Sequence, residues 1–512
     1  MSQSNSIRNG LVIVFAFVVA IWLGITVVTE QTETILKIAV ATLLIICVFL
    51  GRRIWLLLIL FTALNVPLLR GFGTAELGQA LFVGFTLLMS LMRRHPFNFR
   101  FGEKEFWMLL VVASVVQTYV RNPVGLSLMG AGDVGARPYF MVLMAVLSSM
   151  ILGSIIVRPQ EIRWAYWINI FGSIAGIGLT SLRMGGGGAQ GFEQGKEIDD
   201  GKGSGRIPFL NGLSTTSAMV AVSRISPLRA LLHPFWAGVI LFSLAAAAMS
   251  GYRNSIAMVG LIYLVGLAYR GGFASVFVSV VSGALLLCLI AFVNLVSPLP
   301  GNVQRALSPF PGTWDKRHVQ AADESTEWRV EMWKEALLTK YWIRDKILGD
   351  GLGFSRRELL ILESARDGAV GMGVSAGSDM SLQQEAMMIS GGYHSGPVQT
   401  VRAVGYVGLA ILLLAMIRIA VHAHRQIIRC RGTEWYPVAL FVGVPAIVQP
   451  IFFVLVFGEF GKDVALLFLS YGMVSLLEKN LPLSPYVSVK RSQYIPYGKN
   501  REIAKIHGAA VI

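Results

Sequence analysis

GGYHSGPVQTVRAVGYVGLAILLLAMIRIA, residues 391–420, passes from polar, glycine-containing sequence into an apolar run long enough to cross a bilayer. The predicted span covers 397–420. His394 therefore stands at a predicted membrane surface, between two glycines and the first turn of a membrane helix, with Tyr393 and Ser395 beside it. If 397–420 spans, the polar stretch before it is a loop outside the bilayer, and the rest of the chain is arranged around that junction.

Composition agrees with this reading. The 512 residues are 54% hydrophobic and only 14% charged, with a mean hydropathy of +0.62, which describes a polytopic membrane protein rather than a soluble enzyme. A formal charge of +15 raises the question of a nucleic-acid partner. The basic residues, however, fall in short clusters between apolar runs, as orientation signals do, so no nucleic acid is expected. Cys47, Cys288 and Cys430 lie in two apolar runs and one basic loop, without metal-ligand spacing or a disulfide framework. The first apolar run, 10–29, has no small-residue cleavage pattern after it and is expected to be a retained helix, not a signal peptide.

Fourteen candidate spans follow: 10–29, 33–50, 54–69, 76–92, 105–120, 138–157, 163–182, 207–222, 229–249, 254–269, 272–297, 397–420, 436–458 and 460–477. The weakest, 207–222, carries Asn211 and several Ser and Thr residues, which implies a place inside the bundle. Positive charge collects in alternate loops: GRR at 51–53, RRHPFNFR at 93–100, RPQEIR at 158–163, SRISPLR at 223–229, YRGG at 269–272 and HAHRQIIRCR at 422–431. These mark the cytoplasmic side, shared by both termini. The expected fold is thus an all-α polytopic membrane protein of 12–14 spans. Residues 1–296 carry the first eleven helices, 297–396 form one large periplasmic loop domain, 397–480 carry the last three helices, and 481–512 are a cytoplasmic tail.

Within the loop, ESTEWRVEMWKEALLTKYW at 324–342 is predicted to be an amphipathic helix, with Trp328, Met332 and Ala336 on one stripe and Arg329 beside Trp333 at i,i+4. ILGDGLGFS at 347–355 must turn sharply. Its glycines Gly349, Gly351 and Gly353 suit either a plain turn or close backbone approach to a ligand. The run 376–392 is expected to be loop and short helix, and the Gly-rich 185–205 an external loop without the strand-and-helix setting of a nucleotide-binding glycine loop.

Topology sorts the seven histidines. His95, His233, His422, His424 and His507 fall on the cytoplasmic side; only His318 and His394 face outward. His318 follows DKR in a polar loop and suits a solvated role. His394 suits either a capping role or that of a base removing a proton from an alcohol. Arg137, Arg206 and Arg253 stand at predicted outer helix ends, and Arg329 on the loop helix. Guanidinium forks bind phosphate bidentately, so such a ring suits a diphosphate, while snorkelling to the interface explains any single one. Asp350 and Glu327 are acids in a loop rich in them, and no acidic pair is spaced for a divalent cation.

Four of these segments together carry a resemblance. RIPFLNGLSTTSA, SGYRNSIAMVG, STEWRVEMWKEAL with ILGDGLGF, and GGYHSGPVQTVRAVGYVG resemble, in order, the R-x-x-G-x-F-x-N-x-N-x-x-A, SGSRGA-type, Arg-containing helix with G-x-G-x-F, and H-N-x-x-L-x-x-x-x-x-x-G-x-x-G segments of the O-antigen ligase and polymerase superfamily. The resemblance covers about 206–414. It implies a GT-C-like membrane glycosyltransferase of the bacterial inner membrane, facing the periplasm. The implied donor is an undecaprenyl-diphosphate-linked glycan, and the acceptor a hydroxyl on another glycan or glycolipid. Carried over, His394 would activate the acceptor, and Arg253, Arg206, Arg329 and Arg137 would hold the diphosphate. Tyr393, Ser395, Trp333, Asn211, Gly351 and Gly353 would support them, with no metal or other cofactor. Ser395 stands where the family has Asn, and Tyr252 and Asn254 depart from the helix-start motif. A lipid-linked oligosaccharide flippase is the alternative. Against it, a transporter built from repeats should show matching interrupted segments in both halves, whereas the special features here cluster in the second half. A membrane scaffold would leave the arginines and His394 without a joint purpose.

Overall fold

The structure is a computed structural model that describes residues 42–43, 45–68, 73–92, 102–124, 135–185, 207–230, 232–340, 342–353, 388 and 391–481. Every described element is a helix: α1 (Ile54–Leu64), α2 (Thr74–Leu91), α3 (Glu103–Arg121), α4 (Arg137–Ser154), α5 (Pro159–Gly185), α6 (Pro208–Arg224), α7 (Pro234–Met249), α8 (Arg253–Val296), α9 (Gly301–Leu307), α10 (Lys316–Leu338), α11 (Gly396–Cys430), α12 (Tyr436–Leu455) and α13 (Phe460–Asn480), with short turns of helix at Gly51–Arg53 and Pro227–Ala230. Seven stretches are long and apolar enough to cross a membrane: Ile45–Leu64, α2, α4, α8, α11, α12 and α13. The expected first span 10–29, the segment 186–206 and the tail from 482 lie outside the described residues.

Local sequence explains the helix starts. Glu76 and Glu105 reach back to the amides of Gly73 and Gly102, each at 2.9 Å, at the heads of α2 and α3. α4, α6, α7, α11 and α12 carry proline in the first turn, where its missing N–H costs nothing. Small residues set the closest packing: Gly472 of α13 lies so near Ser149 of α4 that a Cβ there would sit 2.7 Å from its Cα. This is how helices associate where lipid removes the hydrophobic drive.

The two ends of the bundle differ. At one end the C-termini of α4, α11 and α13 meet. Arg429 donates to the carbonyls of Glu478 (2.8 Å) and Leu481 (3.1 Å), capping α13, and His422 lies 2.9 Å from Glu478. The expected loop HAHRQIIRCR is therefore helical, because α11 runs on to Cys430 and buries Ile427 and Cys430 against its neighbours.

At the other end lies a wedge. α11 breaks at Gly405 (φ 73°). In an unbroken helix the amide of Tyr406 would donate to the carbonyl of Arg402. Here Arg402 O accepts instead from Asp350 N (2.7 Å) and Gly351 N (3.3 Å), while Tyr406 N and Val407 N donate to Lys346 O (2.8 Å) and Ile347 O (3.2 Å). The turn 345–353 thus occupies the break and satisfies both sides of it, as backbone in or near a bilayer requires. Side chains fix the wedge from α3 and α4: Gln117 donates to Leu348 O (2.7 Å), Asn122 to Asp350 O (3.0 Å), and the Tyr139 hydroxyl accepts from Leu352 N (2.6 Å).

α8 also breaks, at Gly272 (φ 72°). Its 44 residues would measure roughly 65 Å if straight. Yet Arg253 at its start lies within electrostatic reach of Arg305, which the nine residues Ser297–Arg305, spanning at most about 30 Å, connect to its other end. α8 therefore doubles back at Gly272. This matches the two expected runs 254–269 and 272–297, with a single glycine where a loop was expected.

Candidate functional site

The loop helix organises the site. α10 begins at Lys316, ahead of the predicted 324, because Asp315 caps it by accepting from Arg317 N (2.9 Å). Its expected stripe is the packed face: Met332 and Ala336 are buried with Ile343, Met388, Tyr393, Val398 and Val401, and Trp328 and Trp333 pack at the margin. This cluster docks α10 onto the start of α11. Trp333 adds a directed bond, its indole N–H donating to the carbonyl of Tyr393 at 2.6 Å.

That bond falls one residue before His394. His394 has φ 51°, and the only other described non-glycine residue with positive φ is Asn65, which ends α1 in the left-handed conformation. A left-handed histidine costs on the order of 1–3 kcal/mol, so its surroundings must hold it. They do so from both sides. The ring stacks on Phe457 (centroids 5.5 Å apart, planes at 29°). The preceding Gly391 O accepts from Gln399 Nε2 (2.9 Å), whose Oε1 accepts from Phe460 N at the head of α13 (2.7 Å). Tyr393 is fully buried and donates its hydroxyl to Met388 O (3.3 Å); burial pushes that hydroxyl up to about 12. It is a structural phenol, not an acid in the working range.

One turn before Trp333 on the same helix stands Arg329. Its Nε is buried without a hydrogen-bond partner among the described residues. Burial, and then the charge of Arg305, push its guanidinium below the ordinary arginine range. Arg253, the first residue of α8, lies within electrostatic reach of Arg329, Arg305 and Asp323 and donates to Thr326 of α10 (3.3 Å). Three guanidiniums from three elements thus lie within electrostatic reach of one another, with Asp323 the carboxylate beside Arg253, and such a group suits a phosphate-bearing ligand. Arg305 was missed in the sequence because 297–323 read as undivided loop. The available signal was a basic residue in GNVQRAL between a span and the loop helix.

The other expected residues are placed differently. Arg137 is 5% exposed and gives its Nη2 to both oxygens of Glu76 (3.0 and 3.1 Å); its guanidinium is tied to α2. Arg206 lies outside the described residues. Its neighbour Ile207 donates to Ser250 O (3.0 Å), beside the turn that leads into Arg253. Asn211 accepts from Ser255 (2.7 Å), which accepts from Ser250 (3.1 Å), a polar chain inside the bundle that ties α6 to α8. Gly351 and Gly353, like Gly349, have positive φ; Gly349 lies against the backbone of Val404 and Gly405 in α11, and Gly351 against the Tyr139 hydroxyl. Asp350 caps its own turn, accepting from Arg344 N and Asp345 N (2.8 and 2.9 Å). His318 sits in the first turn of α10 against Gly301, not in a loop. Ser395 is the cap residue of α11 and makes no side-chain capping bond. Glu327 is exposed on α10. Among the described residues no group of three His, Cys, Asp or Glu side chains is placed to hold a metal ion. No protein-family model matches the chain, and no curated protein matches it.

Proposed function

We propose that the chain is a glycosyltransferase of the O-antigen ligase and polymerase type, a multi-pass protein of the bacterial inner membrane with its site on the periplasmic face. On this reading it has about fourteen spans, with both termini cytoplasmic. The observation that carries the reading is that one helix, α10, holds Arg329 in the arginine cluster and, one turn on, fixes the backbone beside His394 through Trp333. A phosphate-binding group and a base are thereby joined to one rigid element.

In the proposed reaction an acceptor hydroxyl gives its proton to the His394 imidazole as its oxygen bonds to the anomeric carbon of the donor sugar. The bond from that carbon to the diphosphate oxygen breaks, and undecaprenyl diphosphate leaves with its electron pair. Arg253, Arg305 and Arg329 offset the charge that develops on the diphosphate. One displacement inverts the anomeric carbon. Both polymerisation of repeat units and ligation to a lipid-A core use this chemistry.

The test is transfer by purified protein from a defined undecaprenyl-diphosphate glycan to candidate acceptors. His394→Ala is expected to lower transfer at least a hundredfold, with only the small drop in Tm that loss of the Phe457 stack brings, and Arg305→Gln to lower it about tenfold or more through weaker donor binding. Full transfer by the His394 variant would remove the base from the mechanism. A wild-type protein that moves donor across liposomes without joining it to any acceptor would favour the transporter.

A further inference from the structure

At the end of the bundle opposite His394, a cavity of about 480 Å³, open to solvent, is lined by Arg224, Arg229, Arg270 and Arg431, with Tyr269 and Tyr436. The arginines come from four places: the last residue of α6, the Pro227–Ala230 turn, α8 just before its break, and the chain after α11. None of the described lining residues is acidic. Two of the guanidiniums are positioned by the fold itself. Arg270 donates to the end carbonyls of α6, Val222 (2.8 Å) and Ser223, and lies over the Tyr436 ring at 5.3 Å. Arg224 donates to the Tyr166 hydroxyl (3.0 Å) and lies over Trp167 at 4.8 Å.

Four like charges face one cavity whose described lining holds no carboxylate, an arrangement that suits an anion shared between them. The surroundings say where that anion comes from. Large apolar side chains stand uncovered in the segments that follow the lining residues: Leu232 and Phe235 just before and within the first turn of α7, and Phe273 (91% exposed) and Phe277 just past the break in α8. A soluble anion needs no such surface, whereas a phospholipid presents a phosphate at the depth of the arginines and acyl chains along the aromatics. We propose that this cavity seats the headgroup of an anionic phospholipid, with its chains against the second half of α8.

The full chain, purified in detergent, tests this by native mass spectrometry and thermal unfolding. The probes are phosphatidylglycerol, cardiolipin, phosphatidylcholine and lipid-free inorganic pyrophosphate. The anionic lipids are expected to be retained and to raise Tm, with phosphatidylcholine at least tenfold weaker. Arg229 and Arg431 are both exposed. Arg229→Gln with Arg431→Gln is expected to weaken retention about tenfold or more, and Arg229→Gln alone, on a surface turn, roughly fivefold. Equal retention of phosphatidylcholine, unchanged retention in the single variant, or protection by pyrophosphate matching that of the lipids would each overturn the proposal.

Discussion

α8 breaks at Gly272 with φ 72° and ψ −171°, and α11 breaks at Gly405 with φ 73° and ψ −178°. The local conformation is the same, and only glycine adopts it at little cost. The surroundings are opposite. No heavy atom lies within 4 Å of where a Cβ would stand on Gly272, whereas on Gly405 a Cβ would overlap the backbone of Ile347 and Leu348. One break is a bare reversal that turns the chain back across the bundle. The other is a socket filled by the 345–353 turn, and it sits on the helix that follows directly after His394 and its cap residue Ser395. A glycine kink is thus not one kind of feature; its role is set by what occupies the gap.

The sharpest way to break the comparison is alanine at each glycine. Gly405→Ala combines backbone strain with expulsion of the wedge and is expected to cost at least about 3 kcal/mol. Thermal unfolding in detergent should show the loss, and hydrogen exchange should show the Tyr406 and Val407 amides unprotected. Wild-type exchange at those amides would mean that the wedge does not depend on the gap. Gly272→Ala meets only the strain of alanine in a backbone conformation that is nearly glycine's alone, on the order of 1–3 kcal/mol, with the wedge amides still protected. If it proved as damaging as Gly405→Ala, packing at the two breaks would not be what separates them.

The smallest effect is expected from acid. Asp345 accepts from the amides of Leu348 and Ile347 (2.9 Å each) and pairs with Arg121, and these contacts hold its carboxyl below the usual carboxylate range, the Leu348 amide first. A depressed pKa contributes stability that is full above the unfolded value, about 3.9, and is lost as pH falls through the folded value. Protection at Tyr406 and Val407 should therefore weaken on acidification below about pH 4 in wild type. The Asp345→Asn variant should show a flatter profile, while the bare break at Gly272 has no such contact to lose.

Much of this was legible in the sequence, and the rest was hidden for definite reasons. Apolar runs announced the helices, and the spacing of Trp328, Met332 and Ala336 announced the packed face of α10, because burial leaves a periodic trace in side chains. The wedge left no such trace. It is made of backbone bonds between 346–351 and 402–407, and backbone atoms are alike at every residue; the only marks are the glycines at 349, 351, 353 and 405, which suit an ordinary turn equally well. Arg137 could not be told from Arg253 by position, since both stand at helix heads. What separates them is Glu76 on a distant helix, a pairing no local pattern encodes. For Arg305, the short helix that lifts it toward Arg253 could not be seen within the polar run around it.

The wedge also bears on how the chain is made. The acceptors at Lys346 and Ile347 leave the ribosome before the donors at Tyr406 and Val407, so the partner for the broken helix already exists when that helix emerges. Unpaired backbone is costly in hydrocarbon, and α11 carries its break close to its own N-terminus. The preceding loop therefore acts toward α11 as a chaperone within the same polypeptide, present first and remaining in place as part of the finished fold.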